Sequence, residues 1–305
     1  MHESVLLKET IDGLDLHDGD VVVDGTLGRA GHSIEAMRQA AQVGAKGIFI
    51  IGIDRDVDAL KESEARLESA AKETGSKFKL FKGNFRDADK FTPKADKIIL
   101  DLGLSSPQFD SSGRGFSFKN DEPLLMTMEK EPSEDSFTAA DIVNGWAEED
   151  IANVIYAYGE ERYARRIARA IVAEREARKA RNEKPIETTG ELVAIIEGAV
   201  PSMYKRGKIH PATRTFQALR IAVNDELGSL KVALNKAMGL LSPHGRIAVI
   251  SFHSLEDRIV KVAMKEWQKE GLGEPLTKKP ITPSDAEIMR NPRSRSAKLR
   301  IFIKN

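Results

Sequence analysis

Three short apolar runs, each closing on an acid, constrain this chain more than any other feature. Residues 21–23 lead into Asp24, residues 48–53 into Asp54, and residues 98–100 into Asp101. Runs this short and this apolar suit strands buried on both faces. Helix-like stretches separate them, such as residues 58–74, where Leu60 and Leu67 recur at helical spacing among Lys, Glu and Arg. Strand alternating with helix predicts an α/β fold built on a parallel, doubly wound sheet.

The next apolar strand, residues 246–252, follows Asp101 only after about 145 residues, far more than a crossover needs. A folded insertion is therefore expected, splitting the sheet domain in sequence. Apolar residues at three- and four-residue spacing predict helices there over 140–157, 160–178 and 189–200. A further helix over 211–237 leads back towards the sheet, with Ala218, Leu219, Val223, Leu227, Leu230 and Leu234 on its apolar face. Residues 269–295 read as an exposed loop, and 298–303 as a closing strand. The domain plan is a first sheet part over 1–108, a helical insert over 109–212 and a second sheet part over 213–305.

Composition narrows the chemistry. The chain has no cysteine, which excludes disulfides, thiolate zinc sites and cysteine nucleophiles. Its six histidines lack the His-x-x-x-His spacing of a metal pair, so no metal site is expected. Lys plus Arg and Asp plus Glu stand at 47 each, so any nucleic-acid binding must come from local clusters. Two such clusters stand out: Arg162, Arg165, Arg166 and Arg169 on one helix, and Arg290, Arg293, Arg295, Lys298 and Arg300 near the C-terminus. No stretch reads as secretory or membrane-spanning, which makes the cytoplasm the expected compartment.

The strongest local motif is Asp24-Gly-Thr-Leu-Gly-Arg-Ala-Gly-His-Ser33, glycine-rich between a strand and a helix. Glycines there let a ligand approach backbone amides at a helix start. Their spacing, Gly25, Gly28 and Gly31, differs from the Gly-x-Gly-x-x-Gly that admits a pyrophosphate, which disfavours an NAD-dependent oxidoreductase. An acid-bordered pocket favours the ammonium and sulfonium of S-adenosylmethionine. Asp54, thirty residues beyond Asp24, is placed to accept two ribose hydroxyls. Phe85 is placed either to flank an adenine or to fill the core.

Asp101 opens the loop Asp101-Leu-Gly-Leu-Ser-Ser-Pro-Gln108 at the carboxyl edge of the sheet, where ligands bind in such folds. Exocyclic amines on bases are poor nucleophiles because the lone pair is delocalised into the ring. A methylating site needs acceptors that hold the N–H groups, and Asp101, the Ser105 and Ser106 carbonyls and Gln108 are candidates for that task. Methyl displacement from a sulfonium rests on positioning, and the proton can leave afterwards. His253, just past the fifth strand, reads as structural more readily than catalytic.

These residues resemble one family, the bacterial methyltransferases that modify the N4 amine of a cytidine in 16S ribosomal RNA, in the decoding region of the small subunit. The likeness runs through nearly the whole chain. Beyond the two motifs above, it rests on His2-Glu-Ser-Val-Leu-Leu, Arg114-Gly-Phe-Ser-Phe118, Tyr158-Gly-Glu-Glu-Arg162, His210-Pro-Ala-Thr-Arg214, Phe216-Gln-Ala-Leu-Arg-Ile221, Val249-Ile-Ser-Phe-His-Ser-Leu-Glu-Asp-Arg258 and Asn291-Pro-Arg-Ser-Arg-Ser-Ala-Lys-Leu-Arg300. The resemblance implies a Rossmann-like class I methyltransferase domain with an inserted helical substrate-recognition domain. It implies S-adenosylmethionine bound at Ala30, Gly31, His32, Asp54, Phe85, Asp101 and Gln108, with Asp101, Ser105, Ser106 and Pro107 at the reacting amine. As partners it implies a partly assembled small ribosomal subunit and a second copy in a homodimer. The chain departs from the family where Pro-Leu-Asp-Met-Arg-Met is usual and Pro123-Leu-Leu-Met-Thr-Met128 stands instead. That lost acid and arginine motivate the alternative reading, a catalytically silent RNA-binding assembly factor. Ala30 stands for a usual glycine and Ser4 for a usual proline.

Overall fold

The apolar runs become the middle of a seven-stranded sheet in a computed structural model that describes residues 4–103, 112–129 and 136–305. The strands are β1 Val21–Asp24, β2 Phe49–Asp54, β3 Lys77–Lys82, β4 Ala95–Asp101, β5 Leu241–Ser251, β6 Gly273–Pro275 and β7 Lys298–Lys304. Their order is β3-β2-β1-β4-β5-β7-β6, with β1 to β5 parallel and β7 antiparallel to both β5 and β6. The order turns back between β1 and β4, and that switch point is where an open α/β sheet leaves a crevice beyond its carboxyl ends.

Two compact units make up the chain. The first comprises Met1–Ser105 with Leu227–Asn305, the second Ser106–Glu226. The return point thus falls about fourteen residues later than the plan placed it, because the helix Ala212–Asn224 packs within the insert.

In the first unit, alternate residues of the central strands feed two cores. Val22, Ile50, Ile99, Ala248 and Ile250 face helices α1 (Leu7–Leu14), α2 (Gly31–Gln42) and α3 (Val57–Thr74). Val23, Ile51, Ile98, Leu100, Ile247 and Val249 enter the other core with Leu230, Leu234, Val260 and Met264. Burial on both faces is why these strands read as unbroken apolar runs. The sheet edges are guarded differently. β3 carries Lys77, Lys79 and Lys82 among Phe78, Leu80 and Phe81, while β6 is only three residues long and ends on Pro275.

The insert is helical, as expected, but its helices break where local caps outcompete the periodic pattern. The stretch 140–157 divides into α4 (Ala139–Gly145) and α5 (Glu148–Gly159), and α5 opens on three acids that favour a helix N-terminus. The next helix, α6 (Ala164–Ala180), starts late because Glu160 takes a left-handed φ of 49°. α7 is Thr189–Ala199, opened by a Thr188–Glu191 capping box. The expected helix 211–237 is broken at Asp225, with φ 48°, into α8 (Ala212–Asn224) and α9 (Glu226–Leu240). α10 is Ser254–Lys269. Residues 269–295 are not a uniform exposed loop: they carry β6 and a short helix, Asp285–Arg290, whose buried Glu287 accepts a hydrogen bond from the Leu6 amide at 2.8 Å.

Gly159 shows what joins α5 to α8. A Cβ added there would lie 2.5 Å from the Arg214 carbonyl oxygen and 3.4 Å from the Ala218 methyl. Because the obstacle is backbone, Gly159→Ala is expected to cost about 1–3 kcal/mol, read as a lower thermal midpoint of the full chain. An unchanged midpoint would mean that the two helices separate freely.

Candidate active site

The three strand-ending acids converge at the carboxyl edge of β1, β2 and β4. Asp24 is paired across β1 with Gly52 and Ile99, so Asp54 and Asp101 each project two residues beyond it. Asp24 is buried. Its Oδ2 accepts from the Ser33 hydroxyl at 2.7 Å and its Oδ1 from the Thr26 amide at 3.2 Å. The Thr26 hydroxyl in turn accepts from the Asp101 amide at 2.6 Å, tying the glycine-rich turn to β4.

Asp54 holds the same turn from the other side. Its Oδ2 accepts from the Gly28 amide at 2.7 Å, and its Oδ1 from the Asp56 amide at 2.9 Å. Gly28 takes φ 49°, which glycine adopts without a Cβ penalty. Ala30 takes φ 56° in the same turn, the left-handed conformation that explains why a glycine is usual there. The Arg55 amide also hydrogen-bonds this carboxylate, so three of its roughly four acceptor sites are taken by backbone and a ribose hydroxyl remains compatible with these bonds.

Asp101 is the least satisfied of the three. Its Oδ1 is buried and, among the described residues, has no hydrogen-bond partner. Its Oδ2 lies 3.9 Å from Nδ1 of buried His32, whose Nε2 is 3.1 Å from the Val5 carbonyl and donates to it. Burial pushes the Asp101 carboxyl up to about 7, aided by the negative charges of Asp24 and Glu256. Burial likewise raises Asp24 to about 6 against its hydrogen bonds from Ser33 and Thr26, and raises Asp54. Three carboxylates thus crowd one edge without a Lys or Arg ion-paired to any of them among the described residues. Among the described residues no Lys or Arg neutralises these acids, and a cationic ligand would supply that charge.

Not every expected residue falls here. Gly31 and His32 open α2 beside the acids. Phe85 is half-buried, packs on the core that holds Leu100 and Val23, and sits against Gly25. Ser105, Ser106, Pro107 and Gln108 lie outside the described residues. His253 is a helix cap: its Nδ1 accepts from the Glu256 amide at 3.4 Å, while Glu256 Oε2 accepts from the Phe252 and His253 amides at 2.7 and 3.3 Å. Thr26, Ser33 and Glu256 belong to the electrostatics of the site and escaped the sequence reading. Only Glu256 carried a signal, the acid three residues past a cap position. The C-terminal basic cluster is partly neutralised, since Asp257 accepts from Arg300 at 2.7 Å and Lys298 at 3.1 Å.

A family model described as the MraW methylase family matches residues 1–305. The chain belongs to the MraW methylase family. A ribosomal RNA small subunit methyltransferase H from Symbiobacterium thermophilum is 44% identical, over 99% of this chain and 96% of the relative. The enzyme of that name from Synechococcus elongatus is 47% identical, over 98% and 93% of the two chains. A third, from Acidobacterium capsulatum, is 45% identical over 98% and 97%. Family and sheet agree: the first unit is a Rossmann-like class I methyltransferase fold interrupted by a helical unit. Among the described residues no helix is long and apolar enough to cross a membrane.

Proposed function

We propose that this chain is an S-adenosylmethionine-dependent methyltransferase acting on the exocyclic N4 amine of a cytidine in 16S ribosomal RNA, in the cytoplasm, with the partly assembled small subunit as substrate. The observation that carries the reading is the unrelieved acid cluster at the switch point, with the orphaned Oδ1 of Asp101 at its centre. That donor set fits the group: S-adenosylmethionine carries an ammonium and a sulfonium, and when bound it supplies an electrophilic methyl.

The chain's own residues then divide the work. Asp54 accepts a ribose hydroxyl while holding the turn through Gly28. Asp24, fixed by Ser33 and Thr26, places negative charge beneath that turn. Ala30, Gly31 and His32 form the backbone wall at the start of α2, and Phe85 flanks the adenine. Asp101 accepts an N–H of the target amine and orients its lone pair for attack, and Ser105, Ser106, Pro107 and Gln108 of the same motif are assigned to that amine from the sequence. A base inside a helix cannot reach this edge, so the cytidine leaves its stack.

The altered segment Pro123-Leu-Leu-Met-Thr-Met128 is well anchored in the second unit. Arg114 donates to the Thr127 and Met128 carbonyls at 3.3 and 2.7 Å, and Asn224 ties Met126 and Met128 at 2.7 and 2.9 Å. A lost Asp and Arg therefore left an ordered segment, which gives the silent-factor alternative no support. Transfer of labelled methyl to small subunits lacking the modification, followed by mass analysis of nucleosides, tests the reading. N4-methylcytidine is the expected product. Binding of both cofactor and subunit without methyl transfer would overturn it.

A further inference from the structure

The second unit carries a cluster of rings and cations that the site above does not use. At the start of α6, buried Glu161 accepts from the Tyr163 amide at 2.8 Å through Oε1 and from the Tyr204 hydroxyl at 2.5 Å through Oε2. That carboxylate fastens the segment after α7 to the first turn of α6. Tyr163 and Tyr204 meet edge to face, with centroids 4.9 Å apart. The Arg162 guanidinium lies over both rings, 4.8 Å from one centroid and 4.9 Å from the other, and Arg166 lies 5.8 Å from Tyr163. Arg162 and Arg166 are exposed and, among the described residues, have no carboxylate partner.

More positive charge adjoins this stack. Lys205, Arg206 and Lys208 follow Tyr204 in a tight turn, closed by the Gly207 amide on the Tyr204 carbonyl at 3.1 Å, and all three are exposed without an ion pair among the described residues. Arg214 donates to the Glu160 carbonyl, which leaves its charge unneutralised by that bond. Two of the neighbouring acids are engaged: Glu161 accepts from the Tyr204 hydroxyl, and Glu197 faces His210 at 3.3 Å. Met203, in the same segment, is 78% exposed.

We propose that this surface binds a single-stranded stretch of the substrate RNA, with a base stacked on the outer face of Arg162 and phosphates held by Arg166, Lys205, Arg206 and Lys208. The inference rests on the reading of an RNA substrate. A guanidinium already seated on two tyrosine rings is a plane fixed before binding, so a base stacking on it forfeits little side-chain freedom. Unstacked bases are recognised by such planes, whereas paired bases hide their faces. An acidic protein partner would use the charges and leave the ring-backed plane without a purpose.

Fluorescence anisotropy of the full chain with a short labelled RNA oligonucleotide of mixed sequence tests the proposal, with thermal melting as a control on folding. Arg162→Ala is expected to weaken binding about tenfold or more, and Arg162→Lys to stay weak, since Lys restores charge without the plane. A variant with Lys205, Arg206 and Lys208 all changed to Ala is expected to flatten the dependence of log affinity on log salt by about 2. Parent-like affinity in Arg162→Ala together with parent-like salt dependence in the triple variant would overturn the proposal. Full rescue by Lys, equal binding of duplex RNA, or loss of poly-glutamate binding with RNA binding intact would overturn it too. Methyl transfer measured on the same proteins separates the two readings: RNA held by this surface without any transfer sinks the proposed function alone, and transfer with an indifferent surface sinks this inference alone.

Discussion

An Asp101→Asn protein is expected to keep S-adenosylmethionine affinity within about tenfold of the parent while transferring methyl at least about a hundredfold more slowly. The first half follows from charge. With its carboxyl raised to about 7, Asp101 is only partly ionised at neutral pH, so the amide removes a fraction of one negative charge. Asp24 and Asp54 stay in place with their hydrogen bonds from the glycine-rich turn. The second half follows from geometry. The Asp101 backbone is fixed by Thr26, and its buried Oδ1 has no partner among the described residues, so it is an acceptor waiting for a donor. An amine whose lone pair is spread into the ring is helped by an anionic acceptor far more than by a neutral amide. Calorimetric titration of the cofactor and single-turnover methyl transfer measure the two halves separately. Full activity in the variant would remove Asp101 from the chemistry, and lost cofactor binding would make it a cofactor residue instead.

The sheet was legible because its central strands are buried on both faces, and residues 21–23, 48–53 and 98–100 have no other reading at that length. β6 was not, since three residues ending on Pro275 carry no period and exist only through pairing with β7. The insert's helices were legible in kind and mistaken in extent, because single residues decide where they stop. Asp225 and Glu160 each adopt a left-handed conformation that an apolar period does not announce. Asp24, Asp54 and Asp101 were legible as a site since each ends a strand. Their supports were not: Thr26 and Ser33 look like ordinary turn and cap residues until the fold sets their hydroxyls on Asp101's amide and Asp24's carboxylate. The Arg162 cluster was visible as charge, whereas Tyr204, some forty residues away, joins it through the buried Glu161 and its ring contacts with Tyr163 and Arg162, which only the fold brings together.

Ligand-free protein is expected to lose stability as pH rises from about 5 to about 8, while affinity for S-adenosylmethionine increases over the same range. Asp24, at about 6, and Asp101, at about 7, hold protons in the folded state at pH values where the unfolded chain has released them. Between about 4 and 7 the native state therefore binds more protons than the unfolded state, so its stability falls with rising pH. The two shifts amount to a few kcal/mol, an order-of-magnitude figure because the groups are coupled, or several degrees in thermal midpoint. Carboxylates with lowered values, such as Asp257 beside Arg300 and Lys298, act oppositely, but their contribution is lost only as pH falls below about 4. A cationic ligand reverses the sign for the acids it meets: it favours their ionised forms, expels protons on binding, and so binds about tenfold more weakly at pH 6 than at pH 8 for each carboxyl near 7 that it fully ionises. Melting curves with and without cofactor across this range, repeated on Asp101→Asn, provide the check. The variant is expected to flatten both slopes, because the carboxyl that burial raises to about 7 is gone. A ligand-free midpoint that climbs from pH 6 to pH 8, or an affinity that falls, would mean that the acids at this edge are relieved by positive charge already present and that the cluster is not built for a cation.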